Sequence, residues 1–372
     1  MRIIHFADLH LDSAFAWSGA SGNVARRRRQ ALRDTLLSIT RLVRETSAEA
    51  LFCAGDLYEH DRVTPDTAEF LKKTFRDLDP VPVYVAPGNH DYYAPDSLYA
   101  TCEWSSNVHV FCEPRLRPLL LADRLTLWGA AHCAPANTGN LLNSFRTEGL
   151  GVHVALFHGA ELSWLSEQGS GKEPHAPFNA EDIVDTGLHH AFLGHYHRPK
   201  DAERHTYPGN PDPLQFGEDR TADLVRGPVL ATIAPDGTVM RERRSVAVTQ
   251  VHDITLDLTG CGSQQDVRDR LADSARGLRG IARLTVTGDL EPALDLPERV
   301  LHDVLNEFFD ATQVRTEGLR QGYDVEAIRE ETTVRGQFVR DVLSAGLDPE
   351  DVRRIMITGL RALDGRDDLD VL

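Results

Sequence analysis

Residues 81–93 read VPVYVAPGNHDYY. An apolar, β-prone run ends in Pro87-Gly88, and Asn89 and His90 follow at once. So short an apolar run, bounded by turn residues, reads as a strand buried on both faces. The same grammar recurs along the chain. RIIHFA at 2–7 runs into Asp8-Leu9-His10, and ALFCA at 50–54 into Gly55-Asp56. VHVALF at 152–157 ends in His158, and a strand at 190–193 ends in Gly194-His195-Tyr196-His197. Open α/β sheets place their sites at the carboxyl ends of strands, so these segments are expected to converge on one edge. Helices are predicted between them, over 25–46 (Leu32, Leu36, Ile39, Val43 at helical spacing), 66–78 and 180–187, the last with Asn179 as N-cap and Asp182 at N3. Further strands are predicted at 108–112, 118–121, 125–131, 228–234 and 238–244. The stretch 159–178, rich in Gly, Ser and Pro, reads as a mobile loop.

The residues handed over at the strand ends are metal ligands by type. Hydrolysis of a phosphodiester needs the anionic oxygens neutralised and a water acidified, which a pair of divalent ions does. Imidazoles mixed with carboxylates suit manganese, iron or zinc better than magnesium, which prefers oxygen shells. The candidates are Asp8, His10, Asp56, Asn89, His90, His158, His195 and His197. In DLH and GHYH the i, i+2 spacing puts both side chains on one side of an extended segment. Any one of these motifs is weak evidence, since a lone DxH or GH is common. Their joint occurrence, in order and each at a strand end, is not.

The series DLH, GDLYE, PGNHD, FHG and LGHYHRP resembles the calcineurin-like metallophosphoesterase superfamily. DLHLDSAF at 8–15, APF at 176–178, YPGN at 207–210, QFGE at 215–218 and VRGQFVRDVL at 334–343 resemble, more narrowly, the SbcD/YhaO-type DNA repair nucleases. The resemblance implies an α/β fold, a calcineurin-like β-sandwich flanked by helices. It implies one metal on Asp8, His10 and His197, another on Asn89, His158 and His195, and Asp56 between them. His90 would then act on the scissile phosphate and protonate the leaving oxygen. Some members carry a second catalytic histidine just after the GDLF motif; here that slot holds Glu59, with His60 one position on. Glu59 is therefore taken with His90 as a catalytic candidate. The implied cofactors are two divalent ions, Mn2+ first, with Fe2+ or Zn2+ as alternatives. The implied partners are DNA ends and an SbcC-type ATPase, and a homodimer is compatible with the pattern.

Composition limits the alternatives. The net charge is −17, whereas proteins that track nucleic acid usually carry a basic footprint. Residues 251–372 account for −10 of it and the first 250 residues for −7, before two divalent ions add four positive charges. Any DNA contact must therefore come from local patches. The five scattered cysteines form no CxxC pair and read as reduced thiols of a cytoplasmic protein. No apolar run approaches the ~20 residues of a membrane span, and no signal peptide is expected, since Asp8 and His10 already belong to the chemistry.

Several conspicuous residues have plainer readings. His5 and His153 sit within strands, and His189 and His190 precede the GHYH strand; all four are expected to be structural. His132 and His175 lie in loops. The Arg26–Arg29 run reads as a solvated helix start, with DNA contact as the rival. Tyr92 and Tyr93 could stack on a base or simply wall the cleft.

The expected organisation is a phosphoesterase domain over 1–248, a small β-α-β-α-β cap domain over 249–320, and a helical tail over 321–372 with segments near 324–345 and 349–363. The expected function is a two-metal DNA exo/endonuclease of DNA repair. Its enzymatic rival is a phosphodiesterase or phosphatase for small molecules, which the acidic balance favours. A non-catalytic regulatory subunit is the third reading, against which the retained His90 speaks.

Overall fold

A computed structural model describes residues 1–15, 22–168, 173–216, 225–291, 294 and 296–364. Contacts divide the chain into two compact units, Met1–Val251 and His252–Leu372.

Strand alternation sets the layers of the first unit. Along β1 (Arg2–Phe6), Ile3 enters one apolar cluster and Ile4 another, as a period of two requires. β1, β2 (Ala50–Cys53), β3 (Val83–Val85) and β4 (Val108–Val110) are parallel neighbours. Their crossovers hold α1 (Gly22–Glu45), α2 (Pro65–Arg76) and α3 (Leu98–Thr101). The second sheet is built from β5 (Arg117–Ala122), β6 (Leu125–Gly129) and β7 (Val152–His158). It continues, after α4 (Ala180–Thr186), with β8 (His190–Gly194), β9 (Lys200–Asp201) and β10 (His205–Tyr207), in the order β5-β6-β7-β8-β10-β9. β11 (Val229–Ile233) and β12 (Val239–Arg243) return to the first sheet, whose order is β12-β11-β1-β2-β3-β4.

Ile3, Phe52, Leu127, Val154, Leu156 and Phe192, drawn from both sheets, share one buried cluster, the interior of a β-sandwich. The outer face of the first sheet is covered by Leu32, Leu36 and Ile39 of α1 and by Leu71 and Phe75 of α2. That of the second packs Ile183 of α4 against Ala155, Phe157 and Leu193. Hence the central strands are buried on both faces, which is why alternation of polarity was absent from their sequences. The fold is the mixed α/β sandwich flanked by helices that the sequence implies. Asn179 and Asp182 form the expected capping box of α4. β9 and β10 were not expected: KD and HTY are too short and polar to signal strands.

Residues 159–178 are more structured than a mobile loop. Leu162–Gln168 form a 3-10 helix, and Phe178 donates its N–H to the Ala160 carbonyl at 3.0 Å. Within this stretch 169–172 lie outside the described residues, as do Gly217 and Glu218 of QFGE.

In the second unit, β13 (Val251–Asp257), β14 (Ile281–Leu290) and β15 (Ala311–Gln321) form a sheet in that order, with α5 (Gln264–Ala275) and α6 (Glu298–Leu305) on the connections. β14 and β15 are parallel, as a helical crossover demands. The segment predicted as helical over 324–345 divides into α7 (Val325–Arg329) and α8 (Val334–Ser344). The break has a cause: the Thr333 hydroxyl accepts the Gly336 N–H at 3.2 Å and starts a new helix. α9 (Pro349–Leu363) follows, and Ile328, Val339, Val342, Met356 and Leu360 form a core among the three. Among the described residues, no helix is long and apolar enough to cross a membrane.

Candidate metal centre

The parallel strands β1, β2 and β3 deliver Asp8/His10, Asp56 and Asn89/His90 from their carboxyl ends; β7 and β8 deliver His158 and His195/His197. The delivering loops are pinned to one another. Asp8 N–H donates to the Gly55 carbonyl at 3.0 Å and His10 N–H to the Asp56 carbonyl at 2.9 Å. Asp8, His10 and Asp56 hold φ angles of 55°, 53° and 52°, and His195 one of 109°. Such left-handed backbone costs a non-glycine residue roughly 1–3 kcal/mol and persists only where the surroundings impose it. Gly55 and Gly194 are needed for the close approach. A Cβ on Gly55 (φ +87°) would lie 2.6 Å from Gly88 N, and one on either glycine would lie 2.8 Å from His158 Nδ1.

The ring nitrogens are oriented for metal. A carbonyl or carboxylate oxygen only accepts, so the nitrogen facing one must carry the proton. His158 Nδ1–H donates to the Ala54 carbonyl at 2.8 Å, which leaves Nε2 as the lone-pair nitrogen of the neutral ring. That Nε2 lies 3.3 Å from Asp56 Oδ2 and 3.1 Å from Asn89 Oδ1. A lone pair facing two oxygens in a buried site is repulsive unless a cation stands between them. The His10 ring repeats the pattern. Nδ1–H donates to Glu59 Oε1 at 2.8 Å, while Nε2 is buried, has no hydrogen-bond partner and sits 3.6 Å from Asp56 Oδ2. His195 Nε2–H donates to the Glu173 carbonyl at 3.0 Å and its Nδ1 is buried. Hydrogen bonds of this kind fix the tautomer of a metal-ligating histidine.

Three groups bring their ligand atoms within 4.8 Å of one another: Asp8, His10 and His197; Asp8, Asp56 and His158; and His10, Asp56 and His90. Burial alone would raise the Asp56 carboxyl, but His158 and His90 outweigh it and hold it well below the usual carboxylate range. Burial lowers His158, and Asp56 more than reverses this and raises it. The donor set thus fits divalent cations.

His90 stands at the open side, its side chain 45% exposed. Its N–H donates to Asp56 Oδ1 at 2.9 Å, and its Nδ1–H to Glu59 Oε2 at 2.8 Å. Glu59 therefore holds two imidazoles at once, one oxygen on each.

A family model described as calcineurin-like phosphoesterase matches residues 1–223. The chain belongs to that family. The dinuclear centre of that family meets a fitting ligand set here. YhaO of Bacillus subtilis, described as an uncharacterized metallophosphoesterase, is 29% identical over 273 residues, which cover 68% of this chain and 65% of that protein. The DNA double-strand break repair protein Mre11 of Methanopyrus kandleri is 26% identical over 268 residues, 65% of this chain and 56% of its own. The chain thus spans less than two thirds of the length of either relative.

Asp91 of this metallophosphoesterase escaped the sequence reading. It is fully buried, and its carboxylate accepts from the N–H groups of Asp56, Leu57 and Gly88 and from the Tyr99 hydroxyl, at 2.6–2.9 Å. It shapes the two loops that carry Asp56 and Asn89. Its only signal was its place directly after His90. His132 and Arg28 both lie inside the protein. His132 is buried, donating from Nε2 to the His158 carbonyl at 2.8 Å, and burial first, then His158, lowers its pKa to about 4. Arg28, expected on a solvated helix start, is instead buried against Asp212 at 3.3 Å. Arg26 and Arg27 are exposed. The YPGN turn acts through its backbone: Asn210 N–H donates to the His197 carbonyl at 3.2 Å.

Proposed function

We propose that this chain is a manganese-dependent DNA exo/endonuclease of DNA repair, a phosphodiesterase whose metals sit on Asp8, His10 and His197 and on Asn89, His158 and His195, with Asp56 shared. The observation that carries the hydrolytic reading is the pair of lone-pair nitrogens, His10 Nε2 and His158 Nε2, flanking Asp56 Oδ2 at 3.6 and 3.3 Å. Two divalent ions bound there would neutralise the phosphate and acidify a water. The protein's own part is positioning. The left-handed backbone at Asp8, His10 and Asp56 aims the ligands. Glu59 keeps the Nδ1 proton of His90 engaged, so that only Nε2 of that ring can hand a proton to the leaving oxygen. The role that names the Mre11 relative, DNA double-strand break repair, supports DNA as the substrate; the acidic balance favours the small-molecule rival.

Purified protein with manganese, given end-labelled single- and double-stranded DNA beside a chromogenic phosphodiester, tests this. Cleavage of DNA at a kcat/KM above that for the chromogenic ester is expected. Turnover of the small ester alone would transfer the proposal to the small-molecule rival.

The same reading includes an SbcC-type ATPase held by the tail. Leu343, Leu347 and Ile355 are exposed, and Tyr323, Val325, Leu343, Val352 and Met356 line an apolar cavity of about 340 Å³. A groove of this kind suits a partner's amphipathic helix. Leu343→Glu with Leu347→Glu is expected to leave cleavage of the small ester unchanged and to abolish co-purification with a coiled-coil ATPase. Undiminished co-purification would remove the tail from the interface.

A further inference from the structure

Directly after Glu59 the chain makes a single 3-10 turn, His60–Arg62. The turn is fastened to the proton donor's own backbone, since His60 N–H donates to the His90 carbonyl at 2.9 Å. Two residues beyond His90, Tyr92 lays its ring over the His60 imidazole, with centroids 4.4 Å apart and planes 32° from parallel. Tyr93 N–H, donating to the His132 carbonyl at 2.7 Å, pins the next residue of the same strand exit. The His60 side chain is only 12% exposed beneath this cover, whereas Tyr92 is half-buried. A preformed aromatic stack therefore stands beside the half-exposed His90, on backbone that the site itself holds rigid. The charges that bear on the Tyr92 ring are negative: Asp61 and Asp96 are exposed, with Asp96 Oδ2 3.8 Å from His60 Nε2. Carboxylates there repel a further phosphate. A neutral base, whose π-face any aromatic ring can meet, is not repelled.

We propose that the Tyr92–His60 stack seats the nucleobase attached to the leaving oxygen of the scissile phosphate. This rests on the nuclease reading and adds to it a side: the base on the leaving side is held, and the stack contributes binding without touching the reacting atoms. Tyr92 is thus a positioning residue, and His60 is its support rather than a displaced catalytic histidine.

The test compares two dinucleotide phosphodiesters on the manganese-loaded full chain, one with a base and one with an abasic tetrahydrofuran on the leaving side. The wild type is expected to favour the base-bearing substrate roughly tenfold or more in kcat/KM, chiefly through KM, within the range of base–aromatic stacking. Tyr92→Leu is expected to bring that ratio near one while the abasic substrate is cut at the wild-type rate with the same metal content. Tyr92→Trp is expected to keep the preference. An unchanged ratio in Tyr92→Leu overturns the seat and leaves the nuclease reading standing. Failure to cut either dinucleotide, with the chromogenic diester still hydrolysed, overturns the nucleotide substrate and the seat together.

Discussion

His90→Ser is expected to lower kcat roughly 10²–10⁴-fold, the range of a general acid–base contribution, and to leave both metal ions bound. Asp56→Ala is expected to lose metal and activity together. The two residues differ in what surrounds them. The Asp56 carboxylate is buried to 1% exposure and lies between the nitrogens of His10 and His158, so its removal takes away the charge that faces both of them. His90 is on the open side, with one ring nitrogen occupied by Glu59 and the ring 4.7 Å, centroid to centroid, from that of His10. Yet His90 also lies within ligand reach of His10 and Asp56. Metal analysis of the purified variants separates the two possibilities. Two ions per chain in His90→Ser and fewer in Asp56→Ala bear out the division of roles. A metal-free His90→Ser would make His90 a ligand.

The ligand-bearing strand ends were readable because a doubly buried strand is an apolar run, and a run that stops at a polar residue marks the sheet's edge. Thus β1, β2, β3, β7 and β8 were found within a residue or two of their observed ends. What the residues could not convey was the pairing of things distant in sequence. Asp91 organises a loop 34 and 35 positions behind it, and a buried carboxylate has no sequence pattern that separates it from an exposed one. Arg28 carried the same ambiguity: Arg26 and Arg27 are exposed, whereas Asp212 and Pro213, 184 and 185 residues on, take Arg28 inside. β9 and β10 were invisible for a different reason. Their strands owe their place to β8 and to each other, and two or three residues are too few to show a period. The break between α7 and α8 lay in Thr333, whose capping role competes with apolar spacing that continues across it.

Glu59→Gln is expected to reduce kcat by about 10²-fold, more than the tenfold or less that an unassisted His90 would imply. One carboxylate oxygen takes the Nδ1–H of His10 and the other that of His90, each at 2.8 Å. An amide has one acceptor oxygen and one donor nitrogen, so a glutamine serves one ring and confronts the other with an N–H. Burial would raise the Glu59 carboxyl; the hydrogen bonds from His10 and His90 reverse this and hold it far below the usual range, so it is ionised wherever the enzyme can work. The substitution should therefore have two separable parts. Loss of orientation at His10 weakens a metal site, by the 10–100-fold typical of groups behind a ligand, and is recovered as manganese is raised. Loss at His90 persists at saturating manganese. Measuring rate against metal concentration distinguishes them: a residual deficit near 10²-fold at the plateau places Glu59 behind the proton donor. A full recovery would confine it to the metal. A loss in His60→Ala equal to that of His90→Ser, with Glu59→Gln little changed, would instead move the second catalytic group one position along the chain.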